Sequence, residues 1–262
     1  MSFNNNWYDL RLRLISGFFL LVTSIFCIYF GNFVFTFFII LLVGIMHWEL
    51  GKMLSPMSVQ ALWFSAVLSM IALFCLLVSD SVLLSVLILL INFHFQKNFF
   101  HHSRNFGAFY SLAVIVCGVI FYRIRFELGL YHAAWLIGIV VVTDTAGYLI
   151  GRIIGGPKVF PRISPNKTWS GVLAGWFSVG IFSWFFVENI APENLFIKFI
   201  SISIILSAAA QIGDMIQSHL KRRNDVKDSS GLLPGHGGFM DRFDGFVGTM
   251  VVTGFIFEWI YW

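Results

Sequence analysis

The chain has 262 residues, 58% of them hydrophobic and 11% charged, with a formal net charge of +4 at pH 7. Soluble domains run at about 45–50% apolar and about 25% charged, so the composition argues for a membrane protein and against a soluble enzyme. No basic face is separated from the apolar runs, which argues against a nucleic-acid partner.

Arg11 and Arg13 precede the first apolar run, and no small-x-small cleavage pattern follows it, so the N-terminus reads as a retained span. Runs near the roughly 20 residues that a bilayer core requires occur at 12–30, 33–48, 59–79, 81–96, 106–123, 131–151, 171–188, 195–213 and 245–262. The expected fold is therefore all-α, a polytopic integral membrane protein with about nine transmembrane helices. The runs 33–48 and 81–96 are short, which leaves a re-entrant reading open. It reads as one membrane domain: residues 1–130 are scaffold helices, and 131–262 carry helices with cytoplasmic catalytic loops. Cys27, Cys75 and Cys117 lie singly in apolar runs and have neither metal nor disulfide spacing. His94, His101 and His102 have no Cys or carboxylate beside them and read as interfacial polarity.

Lysine and arginine in the short loops set the orientation. Arg11, Arg13, Lys52, Lys97, Arg104 and the loops 152–170 and 214–244 fall on one side, taken as the cytoplasm. Asp80, Glu188 and Glu193 fall on the other, as do Arg123 and Arg125, which run against the trend beside Glu127. Nine spans would leave Trp262 outside.

Three features carry chemistry. The loop 152–170 holds Arg152, Lys158, Arg162 and Lys167, no acid, and three of the chain's six prolines. It reads as a shaped loop rather than a helix, either an ordinary positive-inside loop or a wall for phosphates. Asp144 sits inside an apolar run, where a carboxylate is costly without a partner or a function, and it shares a helix face with Tyr148. The third is a polar island: Asp214 to Asp244 holds five Lys/Arg and five Asp, a third of the chain's thirty charged residues. If the eighth run continues as a helix, Asp214, Gln217 or Ser218, and Lys221 lie along one face. If a helix starts near Asp241, that residue and Asp244 share a face as well. Backbone N–H groups around Gly237 and Gly238 are candidates for an anion nest. Aspartates suit Mg²⁺, and the basic residues suit a triphosphate, so the island has the parts for nucleotidyl or phosphoryl transfer. No P-loop pattern is present.

Ser218, Lys221, Arg222, Lys227, Asp228, His236, Gly237, Gly238, Asp241, Arg242 and Asp244 together resemble the signature of the phosphatidate cytidylyltransferase (CDP-diacylglycerol synthase) family. Ser164 to Thr168 looks like that family's second recurrent motif, and the small residues after Asp144 fit it too. The likeness extends back to about Val142; before that it is mainly one of hydropathy.

The resemblance implies transfer of cytidylyl from CTP to phosphatidate, giving CDP-diacylglycerol and pyrophosphate at the cytoplasmic face of the inner (plasma) membrane. It implies Mg²⁺, paired with a monovalent cation such as K⁺, and a homodimer. Asp144, Asp214, Lys221, Asp241 and Asp244 are the expected catalytic residues, with Asp214, Asp241 and Asp244 on the metal. Lys167, Ser218, Arg222, His236, Gly237, Gly238 and Arg242 are the expected phosphate contacts. Two other readings stand beside it. A CTP-dependent membrane lipid kinase lacks the complete signature. A transporter centred on Asp144 would show inverted repeats and polar residues in both halves.

Overall fold

The computed structural model describes residues 3–55, 58–79, 81–190, 195–233 and 237–256, with side chains described from residue 17 onward. In chain order the elements are α1 (Phe3–Phe30), α2 (Asn32–Leu54), α3 (Val59–Val78), α4 (Val82–Phe99) and α5 (Arg104–Arg123). A π turn (Ile124–Leu128) leads into α6 (Leu130–Ile154), followed by β1 (Lys158–Phe160), β2 (Ser164–Thr168), α7 (Trp169–Ile190), α8 (Phe196–Arg223) and α9 (Met240–Phe255). The all-α polytopic architecture is as the sequence predicts.

Among the described residues, seven helical stretches are long and apolar enough to cross a membrane: 32–54, 59–78, 82–99, 104–128, 130–154, 169–188 and 196–223. The apolar part of α1, Gly17–Phe30, is shorter, and the described part of α9 is 16 residues long. The runs read as 33–48 and 81–96 are helices of 23 and 18 residues, so both have the length to span. Each helix continues past its apolar run into polar residues. The helix read as 245–262 starts earlier, at Met240, and Trp262 lies outside the described residues.

The loop 152–170 contains a two-stranded antiparallel hairpin, with Lys158 opposite Thr168 and Phe160 opposite Ser164. Arg123, which ran against the charge bias, pairs with Glu127 at 2.7 Å across one helical turn.

The chain forms two compact units. One comprises residues 1–122 and 220–243, the other residues 123–219 and 244–262. The polar island is therefore divided. Its middle belongs with the N-terminal helices, which the sequence reading takes as scaffold.

In the first unit, Phe35, Leu50, Leu54, Leu73 and Ile115 are fully enclosed, and the Phe35 and Phe121 rings meet edge to face at 5.2 Å. α4 is attached differently. Among the described residues it buries only Asn92 and Gln96. Ser65 Oγ donates to Gln96 Oε1 at 2.9 Å, and Gln96 Nε2 donates to Ser69 Oγ at 3.0 Å. Lipid is as apolar as leucine, so hydrogen bonds and close packing must hold such a helix.

In the second unit, Trp135 stacks on Phe199 at 4.8 Å and donates its indole N–H to Ser203 Oγ at 3.2 Å. α6 and α7 touch backbone to backbone. A Cβ on Gly171 would stand 2.5 Å from the Gly147 carbonyl oxygen, so only glycine permits this approach.

Candidate active site

The second unit encloses a cavity of about 580 Å³ lined by α6, the hairpin, the start of α7 and α8. Asp144, Tyr148 and Arg152 follow one another at intervals of four along α6, and all three line it. The hairpin adds Lys158 and Lys167, and α8 adds Asp214. Thr168 accepts the Gly171 N–H at 3.3 Å, which caps the first turn of α7 and fixes the strand beside it. Lys167 Nζ donates to Asp214 Oδ2 at 2.7 Å and to the Gln211 carbonyl at 3.1 Å. Ser218 Oγ donates to the other Asp214 oxygen at 3.3 Å. Arg152 donates to the Tyr148 hydroxyl at 2.9 Å. Three cations and two carboxylates thus share one recess. Asp244 is buried on the turn of α9 that packs against α8, and a Cβ on Gly213 would stand 2.6 Å from its carbonyl oxygen.

The first unit holds the rest of the signature. α8 runs on to Arg223, as the helical continuation requires, and Lys221 Nζ donates to Asp241 Oδ1 at 2.8 Å. Asp241 Oδ2 accepts the Ser229 N–H at 2.8 Å, the Ser229 hydroxyl at 3.0 Å and the Gly238 N–H at 3.0 Å. Burial alone would raise the Asp241 carboxyl. The Lys221 hydrogen bond, the Gly238 N–H, the Lys221 charge and the Ser229 N–H outweigh burial and hold it below its ordinary value. Gly237, at φ 85°, exchanges backbone hydrogen bonds with Leu233. Arg222 reaches the Val226 carbonyl at 3.2 Å, and Arg242 is exposed. His236 lies outside the described residues.

Asp241 and Asp214, both expected on a metal, each have protein donors on both carboxylate oxygens, and those on Asp241 organise the loop. The Gly237 and Gly238 N–H groups, read as an anion nest, are taken by Leu233 O and Asp241. Among the described residues, no group of three or more His, Cys, Asp or Glu side chains is placed to hold a metal ion.

The profile of the cytidylyltransferase family matches residues 11–260. The chain belongs to the cytidylyltransferase family. Over 258 residues it is 31% identical to a protein named phosphatidate cytidylyltransferase from Bacillus subtilis (strain 168), covering 92% of this chain and 95% of that one. A protein of the same name from Staphylococcus aureus (strain COL) is 40% identical over 147 residues, 54% of this chain and 55% of the relative. One from Staphylococcus saprophyticus is 40% identical over 157 residues, 58% of each. The chain thus spans little more than half the length of the staphylococcal relatives it matches.

One residue of this cytidylyltransferase-family site escapes the sequence reading. Glu49 of α2 is fully buried, and its carboxylate meets the signature loop. Its signal in the sequence is a carboxylate directly after an apolar run that hydropathy ends at Trp48.

Proposed function

We propose that the protein transfers cytidylyl from CTP to phosphatidate, giving CDP-diacylglycerol and pyrophosphate. The observation that carries this is the cavity of the second unit, where Arg152, Lys158 and Lys167 converge with Asp144 and Asp214. Family membership supports the choice of nucleotide, and the names of the relatives support the choice of lipid. Phosphatidate carries a phosphate monoester with a second pKa of about 6, so at neutral pH it is largely dianionic and needs no general base. Its oxygen attacks the α-phosphorus of CTP; the bond to the β-phosphate oxygen breaks and pyrophosphate leaves. Lys167, Arg152 and Lys158 neutralise the charge of the assembled phosphates, and Asp214 holds the Lys167 ammonium in place.

The donor set of the cavity fits Mg²⁺, which is commonly held by one or two carboxylates together with substrate phosphates. Asp144 and Asp214 would hold it. Mg²⁺ bound there would supply Lewis-acid stabilisation of the phosphate oxygens. Asp244, whose carbonyl lies at the α8–α9 contact, packs beside the stretch of α8 that carries Asp214. The proposed setting is the inner (plasma) membrane, with the loops 152–170 and 214–244 in the cytoplasm, where CTP is found.

The test uses purified full-length protein with labelled CTP, phosphatidate in detergent micelles and Mg²⁺. The expected products are labelled CDP-diacylglycerol and pyrophosphate, with activity lost to a chelator and restored by Mg²⁺. A phosphorylated lipid in place of a cytidylylated one would overturn the reading in favour of a kinase.

A further inference from the structure

Glu49 lies within the apolar helix α2, five residues before its end, and has no exposure. A carboxylate at such a place requires partners. Lys52, one turn on, does not serve. It is exposed, and its ammonium stands 5.3 Å from the Trp48 ring centroid. The partners instead come from residues about 180 to 190 positions away in the chain. Ser230 Oγ donates to Glu49 Oε1 at 2.5 Å and Ser229 Oγ to Oε2 at 3.3 Å. The Phe239 N–H donates to Oε1 at 3.0 Å and the Met240 N–H to Oε2 at 2.7 Å.

The last two bonds have a specific meaning. Met240 is the first residue of α9, and the initial N–H groups of a helix have no partner within it. Glu49 supplies that partner from another helix, its two carboxyl oxygens placed at the positive end of the α9 dipole. The Ser229 hydroxyl lies between Glu49 and Asp241, and each carboxylate bonds both ends of the loop, Asp241 at Ser229 and Gly238 and Glu49 at Ser229, Ser230, Phe239 and Met240. Gly238 fits between them. A Cβ there would stand 2.6 Å from Glu49 Oε1 and would strike the Ser229 hydroxyl. The second glycine of the signature is thus small because Glu49 is where it is.

We infer that Glu49 is a positioning residue. It fastens the segment 229–240 to α2, sets the start of α9, and so fixes the Lys221–Asp241 pair that the signature carries. The kinetic consequence rests on the function proposed above: Lys221, Arg222 and Arg242, which flank the fastened segment, serve the nucleotide, while Lys167 lies in the other unit.

The test compares full-length wild type with Glu49→Gln and Glu49→Ala in detergent, by hydrogen exchange and by kinetics. Glu49→Gln keeps the shape but turns an NH₂ group toward these donors. Exchange of the amides in 237–243 should rise at least tenfold in both variants, with peptides of α3 to α5 within twofold of wild type. The KM for CTP should rise at least tenfold and that for phosphatidate stay within twofold. Unchanged exchange at 237–243 overturns the anchoring. So does exchange raised throughout α2 to α5 with kcat lowered and both KM values unchanged, the signature of a mere prop. Local loosening without a rise in the CTP KM overturns the role toward the nucleotide. If wild type itself shows no CTP turnover, the proposed function fails, while the exchange measurement still decides the anchoring.

Discussion

At the residue scale, the chain meets each buried or half-buried acid with a cation or with backbone donors, and the two arrangements predict different behaviour. Lys167 and Asp214 keep side-chain exposures of 20% and 32% in an open cavity, so their pair is available to a ligand. Lys167→Ala should lower kcat/KM about ten- to a hundredfold, the size of one charge-assisted contact, with the KM for phosphatidate rising more than that for CTP. Equal changes in both KM values would remove Lys167 from the lipid phosphate. Lys221 and Asp241 are exposed by only 11% and 6%. Asp241→Asn should abolish turnover and also destabilise the fold by about 3–5 kcal/mol, because it strands a buried ammonium. A melting curve in detergent unchanged from wild type would show that the pair carries no structural weight. The pH dependence follows from the depressed Asp241 carboxyl. Its stabilisation is complete above the ordinary carboxylate value of about 3.9 and is lost only as pH falls through the lower folded value. The Asp241 contribution to loop protection, read as the difference in corrected exchange between wild type and Asp241→Asn, should therefore be flat from pH 8 to pH 5. Asp144 and Asp214 were legible in the sequence because a charge in or at the end of an apolar run stands out, and Lys167 because its loop is acid-free and shaped by prolines. The engagement of Asp241 was not, because Lys221, Ser229 and Gly238 reach it only through the folded loop.

At the element scale, hydropathy finds where helices are but not where they end. A run stops at its first charge or amide, whereas a helix continues as long as its carbonyls find N–H groups and its face finds a neighbour. α2 continues past Trp48 because Leu50, Met53 and Leu54 are buried beyond it. That extension brings Glu49 inside the helix. α4 continues through Gln96 to Phe99 because Gln96 is the residue that binds it to α3. The hairpin between α6 and α7 was legible only as a proline-shaped loop, since SPNKT has no alternation to mark a strand. The attachment of α4 yields a prediction. Gln96→Leu makes the helix more apolar yet removes the bonds to Ser65 and Ser69, so it should destabilise the protein by about 1–2 kcal/mol, the upper range for such bonds in a membrane. An equal or higher melting temperature in detergent would show that apolar packing, not hydrogen bonding, holds α4.

At the scale of the whole molecule, each unit is built from two separate stretches of the sequence. Residues 220–243 belong with the first unit through Glu49, and residues 244–256 with the second through the α8–α9 contact at Gly213. The proposed reaction draws its nucleotide from the cytoplasm, and the Lys/Arg bias of the loops agrees with that proposed orientation. The pairing of Arg123 with Glu127 weakens the one contrary signal, since a neutralised arginine offers less resistance to translocation. Single cysteines in a background free of Cys27, Cys75 and Cys117 test the assignment. Gly231 is exposed in the signature loop, with nothing within 4 Å of an added Cβ, and Glu188 is exposed near the end of α7. A membrane-impermeant maleimide added to intact cells should label Glu188→Cys and spare Gly231→Cys until the membrane is permeabilised. Labelling of Gly231→Cys in intact cells would put the signature loop outside, away from cytoplasmic CTP, and the proposed reaction would lose its nucleotide.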